Sequence, residues 1–204
     1  MLCNNTPTKR RVRLVIGPPG TGKTTWLSRQ VTESASSFTE GCFSNPALVT
    51  SLTNAAASEI VDRNIPISRS CVGTLHSHCY RLLDSPVIAA GDSMISWNET
   101  YPLWAMATCN NHFKDDPVWN LGGISTKAHS SGNLFLEKMN LFRHRMIERR
   151  KWPRDLILFA DRWCGWKLET GVVDFTDLIE SVYKESIRPP GDPEEIYVDE
   201  AQDL

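Results

Sequence analysis

The chain has 204 residues, 41% of them hydrophobic, which is long and apolar enough for one domain with a substantial core plus a small second lobe and excludes a disordered polypeptide. Its 22 Lys and Arg against 24 Asp and Glu leave a net charge of -2, so no global positive field marks a nucleic-acid binder and any such contact has to come from a local surface. No apolar run approaches the ~18 residues of a membrane span and no signal-peptide pattern opens the chain, so the expectation is a cytoplasmic protein without a membrane partner.

The first predicted element is "VRLVI", residues 12 to 16, a β-branched run that ends at glycine and reads as a strand; "TGKTTWLSRQVTESA" follows at helical spacing. Between them, Gly17-Pro18-Pro19-Gly20-Thr21-Gly22-Lys23-Thr24 fits the phosphate-loop pattern G-x-x-x-x-G-K-[ST] in full, in the strand-loop-helix setting that its mechanism requires. Glycines let successive backbone N–H groups converge on one centre, and the helix start adds its positive dipole end. The candidate nucleotide-binding residues are therefore Gly17, Pro18, Gly20, Thr21, Gly22, Lys23, Thr24 and Thr25. Lys23 is expected to reach the β- and γ-phosphates, the Thr24 hydroxyl to ligate Mg²⁺, and Thr25 to lie on the α-phosphate side.

A second strand is expected at "PALVTSL" (46 to 52), followed by a helix in "NAAASEIVDR" with Asn54 as its N-cap. "VGTLHSHCYRLLD" (72 to 84) reads as a strand end and a helix capped by Thr74. From about 85 to 170 the pattern changes: most of the tryptophans fall here, with breaks such as "LGGIST" and one basic amphipathic helix, "NLFLEKMNLFRHRMIERRKW". Its Arg143, Arg145, Arg149, Arg150 and Lys151 could touch phosphates, although a solvated helix face is the commoner meaning of such a run. "VDFTDLIESVYKESI" (173 to 187) is an amphipathic helix, and "EIYVDEAQDL" ends an apolar strand on two acids. Alternation of strands with helices indicates a parallel, three-layer α/β sheet interrupted by a helical insertion.

Two acids closing a strand complement the lysine loop: Asp199 is placed to hold magnesium, and Glu200 to orient or deprotonate an attacking water. Hydrolysis as well as binding is expected. The six cysteines form no CxxC pair, which argues against a zinc ribbon and a disulfide framework. His76, His78 and Cys79 stand close together but have no second ligand cluster, so a metal reading there is set aside.

"GPPGTGKT", "TSLTNAAASEIVDR", "GTLHSHCYRLL", "DFTDLI" and "VDEAQDL" occur in the order and approximate spacing of motifs I, Ia, Ib, a connecting helix and motif II of superfamily 1 DNA helicases. The chain thus resembles the N-terminal portion of the UvrD/Rep type. The resemblance implies a RecA-like P-loop NTPase fold: residues 1–84 as the first part of an incomplete domain 1A, 85–170 as a helical 1B-like insertion, and 171–204 as the continuation of 1A to motif II. It implies ATP and Mg²⁺ as ligands and single-stranded DNA as partner. Leu52, Thr53 and Asn54 from motif Ia and Thr74 and His76 from motif Ib become candidate DNA contacts, and Gln202 a link from the nucleotide site to neighbouring motifs. Lys23, Glu200 and Gln202 form the candidate catalytic set.

The departures matter as much. Leu52 and Leu75 stand where the family usually has phenylalanine, and a leucine lacks the π-face worth roughly 1–3 kcal/mol per stacked base. "MLCNNTPTKRR" holds no adenine-selecting glutamine. Motifs III to VI, with their arginine fingers, are not in the sequence, so turnover is expected to require a second polypeptide or a C-terminal continuation that carries them. In the family the motif III strand lies between the Walker A and motif II strands, so residues 12 to 16 and 195 to 198 are expected to flank a vacant slot with an exposed apolar seam and poor solubility. The alternatives are a helicase-like module that binds ATP and single-stranded DNA or a protein without unwinding, and a small P-loop kinase. Against the kinase stand "LTNAAA", "GTLHS" and "DEAQDL", which transfer to a small acceptor does not need.

Overall fold

The computed structural model describes residues 11–37, 47–51, 53–63, 65–107, 131–189 and 192–201. Its centre is a parallel three-stranded sheet made of β1 (Ala47–Ser51), β2 (Val72–Thr74) and β3 (Glu195–Val198), in the spatial order β2-β1-β3. Val49 sits opposite both Val72 and Tyr197. A parallel strand flanked on both edges and covered on its faces must be apolar along its length. The β1 residues Ala47, Leu48 and Val49 meet that demand and are buried.

Three helices pack around this sheet. The first, α1 (Lys23–Ser37), brings Leu27 and Val31, and α2 (Asn54–Asp62) brings Ile60, into one cluster with Ala47 and Val49. The third, α3 (Leu75–Leu82), starts directly from β2, because Thr74 ends the strand and caps the helix: its hydroxyl accepts from Ser77 N at 3.2 Å. Thr53 does the same for α2, accepting from Ala56 N at 3.3 Å, so the helix cap falls one residue before the expected Asn54.

A second core lies among helices α4 (Ser93–Thr100), α5 (Ser131–His144) and α6 (Arg154–Thr170). It contains Trp97, Met139, Leu156, Phe159, Trp163 and Trp166. Trp97 meets Trp163 edge-on at 4.9 Å, and Trp163 stacks on Trp166 at 5.0 Å. Offset and T-shaped contacts of this kind add about 0.5–1.5 kcal/mol per pair to the burial itself. The chain enters and leaves this lobe side by side: Val173 N donates to Val87 O (2.9 Å) and Ala89 N to Val173 O (2.8 Å).

After the lobe, α7 (Phe175–Lys184) begins in a capping box in which Asp174 and Asp177 each accept the other's backbone N–H. Burial alone would raise the Asp174 carboxyl, but the charges of Lys167 and Arg143, with hydrogen bonds from Lys167 and Trp163, bring it down to about 2. Arg143 in turn grips Asp174 (3.0 Å), Asp177 (2.7 Å) and Glu180 (2.8 Å), while Lys167 holds Asp174 at 2.6 Å and also pairs with Asp177. One network thereby locks α5, α6 and α7 together.

Two expectations change here, the strand at 12 to 16 and the extent of the basic helix. Residues 12 to 16 form no strand: Val12 and Ile16 are 93% and 84% exposed, because a strand exists only within a ladder and no described strand lies beside them. The β3 edge away from β1 is likewise unpaired among the described residues, with Ile196 and Val198 exposed. The basic helix ends at His144, where the chain turns through Met146 in left-handed conformation (φ 51°), and a separate helix, α6, follows. Its basic run is largely neutralised internally, with Arg143 buried among carboxylates, Arg149 paired with Asp161 and Arg150 with Glu148.

Candidate nucleotide-binding site

The glycine loop leads from residue 17 to the first turn of α1. Gly20 (φ 78°) and Gly22 (φ 81°) are left-handed, a region that costs a side-chain-bearing residue free energy and glycine none. Gly17 serves a different need, since a Cβ there would lie 2.8 Å from the Thr21 hydroxyl, which donates to Pro18 O at 2.8 Å. The loop is thus shaped by its own residues. Trp26 N makes the first helical bond, to Gly22 O at 2.8 Å, so the amides of Lys23, Thr24 and Thr25 stay outside the α1 ladder and concentrate positive partial charge at its start.

Lys23 bends back over this loop and donates to Gly17 O (3.0 Å) and Pro18 O (3.2 Å). An ammonium whose hydrogen bonds among the described residues go to neutral carbonyls, and which is partly open to solvent, is available to an anion that offers stronger acceptors. Thr24 Oγ1 donates to Asp199 Oδ2 at 3.2 Å, joining two residues 175 positions apart. Asp199 is 5% exposed, and its N–H is anchored on Thr50 O at 2.9 Å, one step past the end of β3. Glu200, half-buried, takes a left-handed turn (φ 53°) immediately after it. A hydroxyl and a carboxylate oxygen placed together are the hard ligands that magnesium prefers. A buried hydroxyl at the same end of the sheet, Ser51 Oγ, has no hydrogen-bond partner among the described residues. The donor set fits a divalent ion and its water shell.

The Thr25 hydroxyl accepts from Arg63 Nη1 at 2.8 Å, and Arg63 also pairs with Glu59 at 2.6 Å. Arg63 escaped the sequence reading because nothing local links the end of α2 to the start of α1. An open groove of about 360 Å³ runs from Thr25 and Arg63 along α1 to Thr32 and Glu33.

The candidate DNA contacts scatter more than the nucleotide set. Thr53 is exposed at the start of α2, whereas Thr74 is 4% exposed and its hydroxyl serves the α3 cap. The His76 ring packs edge-on against Phe175 at 6.0 Å, and its pKa is lowered by burial and by the neighbouring His144. Leu52 and Gln202 lie outside the described residues. His78 is committed to the fold: Nε2 meets Val49 O and Nδ1 meets Arg81 Nη2, both at 3.1 Å. Burial pushes the Cys79 thiol up to about 11, and among the described residues no cluster of three His, Cys, Asp or Glu side chains could hold a metal. No helix among the described residues is long and apolar enough to cross a membrane.

Comparison with curated proteins and with solved structures found no match. A family described as an AAA domain matches residues 3–204, nearly the whole chain. A mixed α/β fold with a parallel sheet, a glycine loop entering a helix and an acidic strand end fit that family, and the chain belongs to the AAA domain family of P-loop NTPases.

Proposed function

We propose that this chain is the ATP-binding first part of a UvrD/Rep-type, ATP-dependent DNA helicase, the region from about 85 to 170 being its 1B-like lobe. The observation that carries the reading is the 3.2 Å contact between Thr24 and Asp199, which joins the two halves of a phosphate-and-metal site from opposite ends of the sequence. Lys23 exchanges its loop carbonyls for the β- and γ-phosphate oxygens, and the free amides at the start of α1 cradle the chain of phosphates. Magnesium, when held by Thr24 and Asp199, supplies positive charge beside those oxygens. Glu200 takes the proton of the attacking water, and the order of motifs Ia, Ib and II supports single-stranded DNA as the partner. Since Thr74 and His76 are packed inward, the DNA backbone is expected to meet the exposed start of α2 at Thr53 first.

The internal pairing of Arg143, Arg149 and Arg150 favours a second reading, a module that binds ATP and a partner without gripping DNA strongly. One experiment separates them. The chain is supplied with a polypeptide carrying motifs III to VI, and ATP hydrolysis is measured with and without oligo-dT. Helicase-type function predicts DNA-stimulated hydrolysis that Glu200→Gln suppresses while fluorescent-ATP binding persists. Hydrolysis indifferent to DNA would leave the binding module, and undiminished hydrolysis in Glu200→Gln would remove Glu200 from its role.

A further inference from the structure

Resting on the nucleotide-site reading above, a further residue can be placed in that site. Ser51 is 1% exposed, and its hydroxyl has no hydrogen-bond partner among the described residues. A buried hydroxyl left unpaired is costly, and native proteins pair nearly all of them. Its position in the sheet says what it faces. Val49, Val72 and Tyr197 are in register and pack together with Leu27 and Val31 of α1, so this row lies on the α1 side of the sheet. Side chains two residues further along each strand return to the same face. That next row is Thr74, Ser51 and Asp199: Ser51 pairs in register with Thr74, and the Asp199 N–H bond to Thr50 O carries the β1·β3 ladder on to Asp199. Ser51 is therefore the middle member of a polar row beneath the start of α1, beside the carboxylate that Thr24 reaches.

Thr24 now gives its hydroxyl hydrogen to Asp199. Once the Thr24 oxygen turns its lone pairs to a cation, Asp199 needs another donor to hold its orientation, since carboxylates at metal sites are themselves hydrogen-bonded by a surrounding shell. We propose that Ser51 is a positioning residue for this metal site, its hydroxyl donating to Asp199 in the magnesium-nucleotide state. Thr50 is the internal control. Its hydroxyl is also buried and unpaired among the described residues, but it lies in the alternate row with Val198, on the other face of the sheet.

The test follows binding of a fluorescent ATP analogue as MgCl₂ is titrated, and again in EDTA, for the parent, Ser51→Ala, Ser51→Thr and Thr50→Ala. The expected result is an increase of about 10-fold or more in the Mg²⁺ concentration for half-maximal binding in Ser51→Ala. Binding in EDTA should be unchanged, Ser51→Thr should restore the parental value, and Thr50→Ala should match the parent. The nucleotide-free Ser51→Ala chain should also melt no lower than the parent, because an unpaired hydroxyl has been removed. An unchanged Mg²⁺ dependence, an equal loss of binding in EDTA, or a lower melting temperature without nucleotide would each overturn the role of Ser51 while leaving the P-loop reading intact. A parent that binds no nucleotide at all would overturn both.

Discussion

The tryptophan-rich lobe and the sheet with its glycine loop solve different problems with the same chain. The lobe closes on itself: Trp97, Phe159, Leu156 and Trp163 are fully buried, and its buried charges Arg143, Lys167 and Asp174 are all paired. On the nucleotide side of the sheet the balance is reversed, with Val12, Leu14 and Ile16 exposed, a lysine bonded to its own loop, and the Ser51 hydroxyl buried without a partner among the described residues. Groups in the lobe have found their partners within the chain, whereas the loop and strand ends keep polar atoms that a ligand can satisfy. Substitution in the first region should therefore cost stability, and substitution in the second should cost binding.

The largest effect that would break this contrast is expected at Asp174. Asp174→Ala removes the more buried of the two carboxylates that Arg143 and Lys167 share, leaving them Asp177 and, for Arg143, Glu180, and the loss should approach the cost of a broken buried pair, about 3–5 kcal/mol. Urea unfolding followed by tryptophan fluorescence measures it; a loss under ~1 kcal/mol would mean that the network does not organise the lobe. Next in size, Lys23→Ala removes a charged donor worth roughly 1.5–3 kcal/mol, so ATP affinity by calorimetry should drop about 10- to 100-fold with little change in unfolding midpoint. A stability loss equal to the binding loss would erase the distinction between the two regions.

Acid should sharpen it. The folded-state Asp174 carboxyl lies at about 2, below the ~3.9 of an unfolded aspartate, so its stabilisation is complete above the unfolded value and drains away as pH falls from about 4 towards 2. Thermal melts across that range should show the tryptophan signal losing midpoint in the parent and much less in Asp174→Ala. The smallest effect is expected at Thr53, where loss of the α2 cap should cost about 0.5–1 kcal/mol. Any larger, salt-dependent loss of oligo-dT affinity in Thr53→Ala would locate the DNA contact there.

Much of the site was legible because its residues are local. Gly17 to Thr24 need only be adjacent to form a phosphate loop, and the short apolar, β-branched runs in 47–51 and 195–198 need only composition to announce strands. Residues 12 to 16 carried the same strand signal and still form none, because propensity does not supply the neighbouring ladder that a strand requires. The basic run from 143 to 151 misled in a similar way: charge is a property of sequence, but its availability depends on which carboxylates arrive beside it, and Asp174, Asp177 and Glu180 come from another helix.

By itself the sequence determined the parts: a phosphate loop, an acidic strand end, the Thr74 helix cap, and an apolar repertoire rich enough for two cores. Tertiary structure decided which parts meet. The 3.2 Å approach of Thr24 to Asp199, the capture of Thr25 by Arg63, and the shared row of Thr74, Ser51 and Asp199 all depend on strand register and helix placement. Those contacts join residues far apart in the chain, so the entropic cost of closing the intervening loops has to be offset by burial of a common core, which no local pattern encodes.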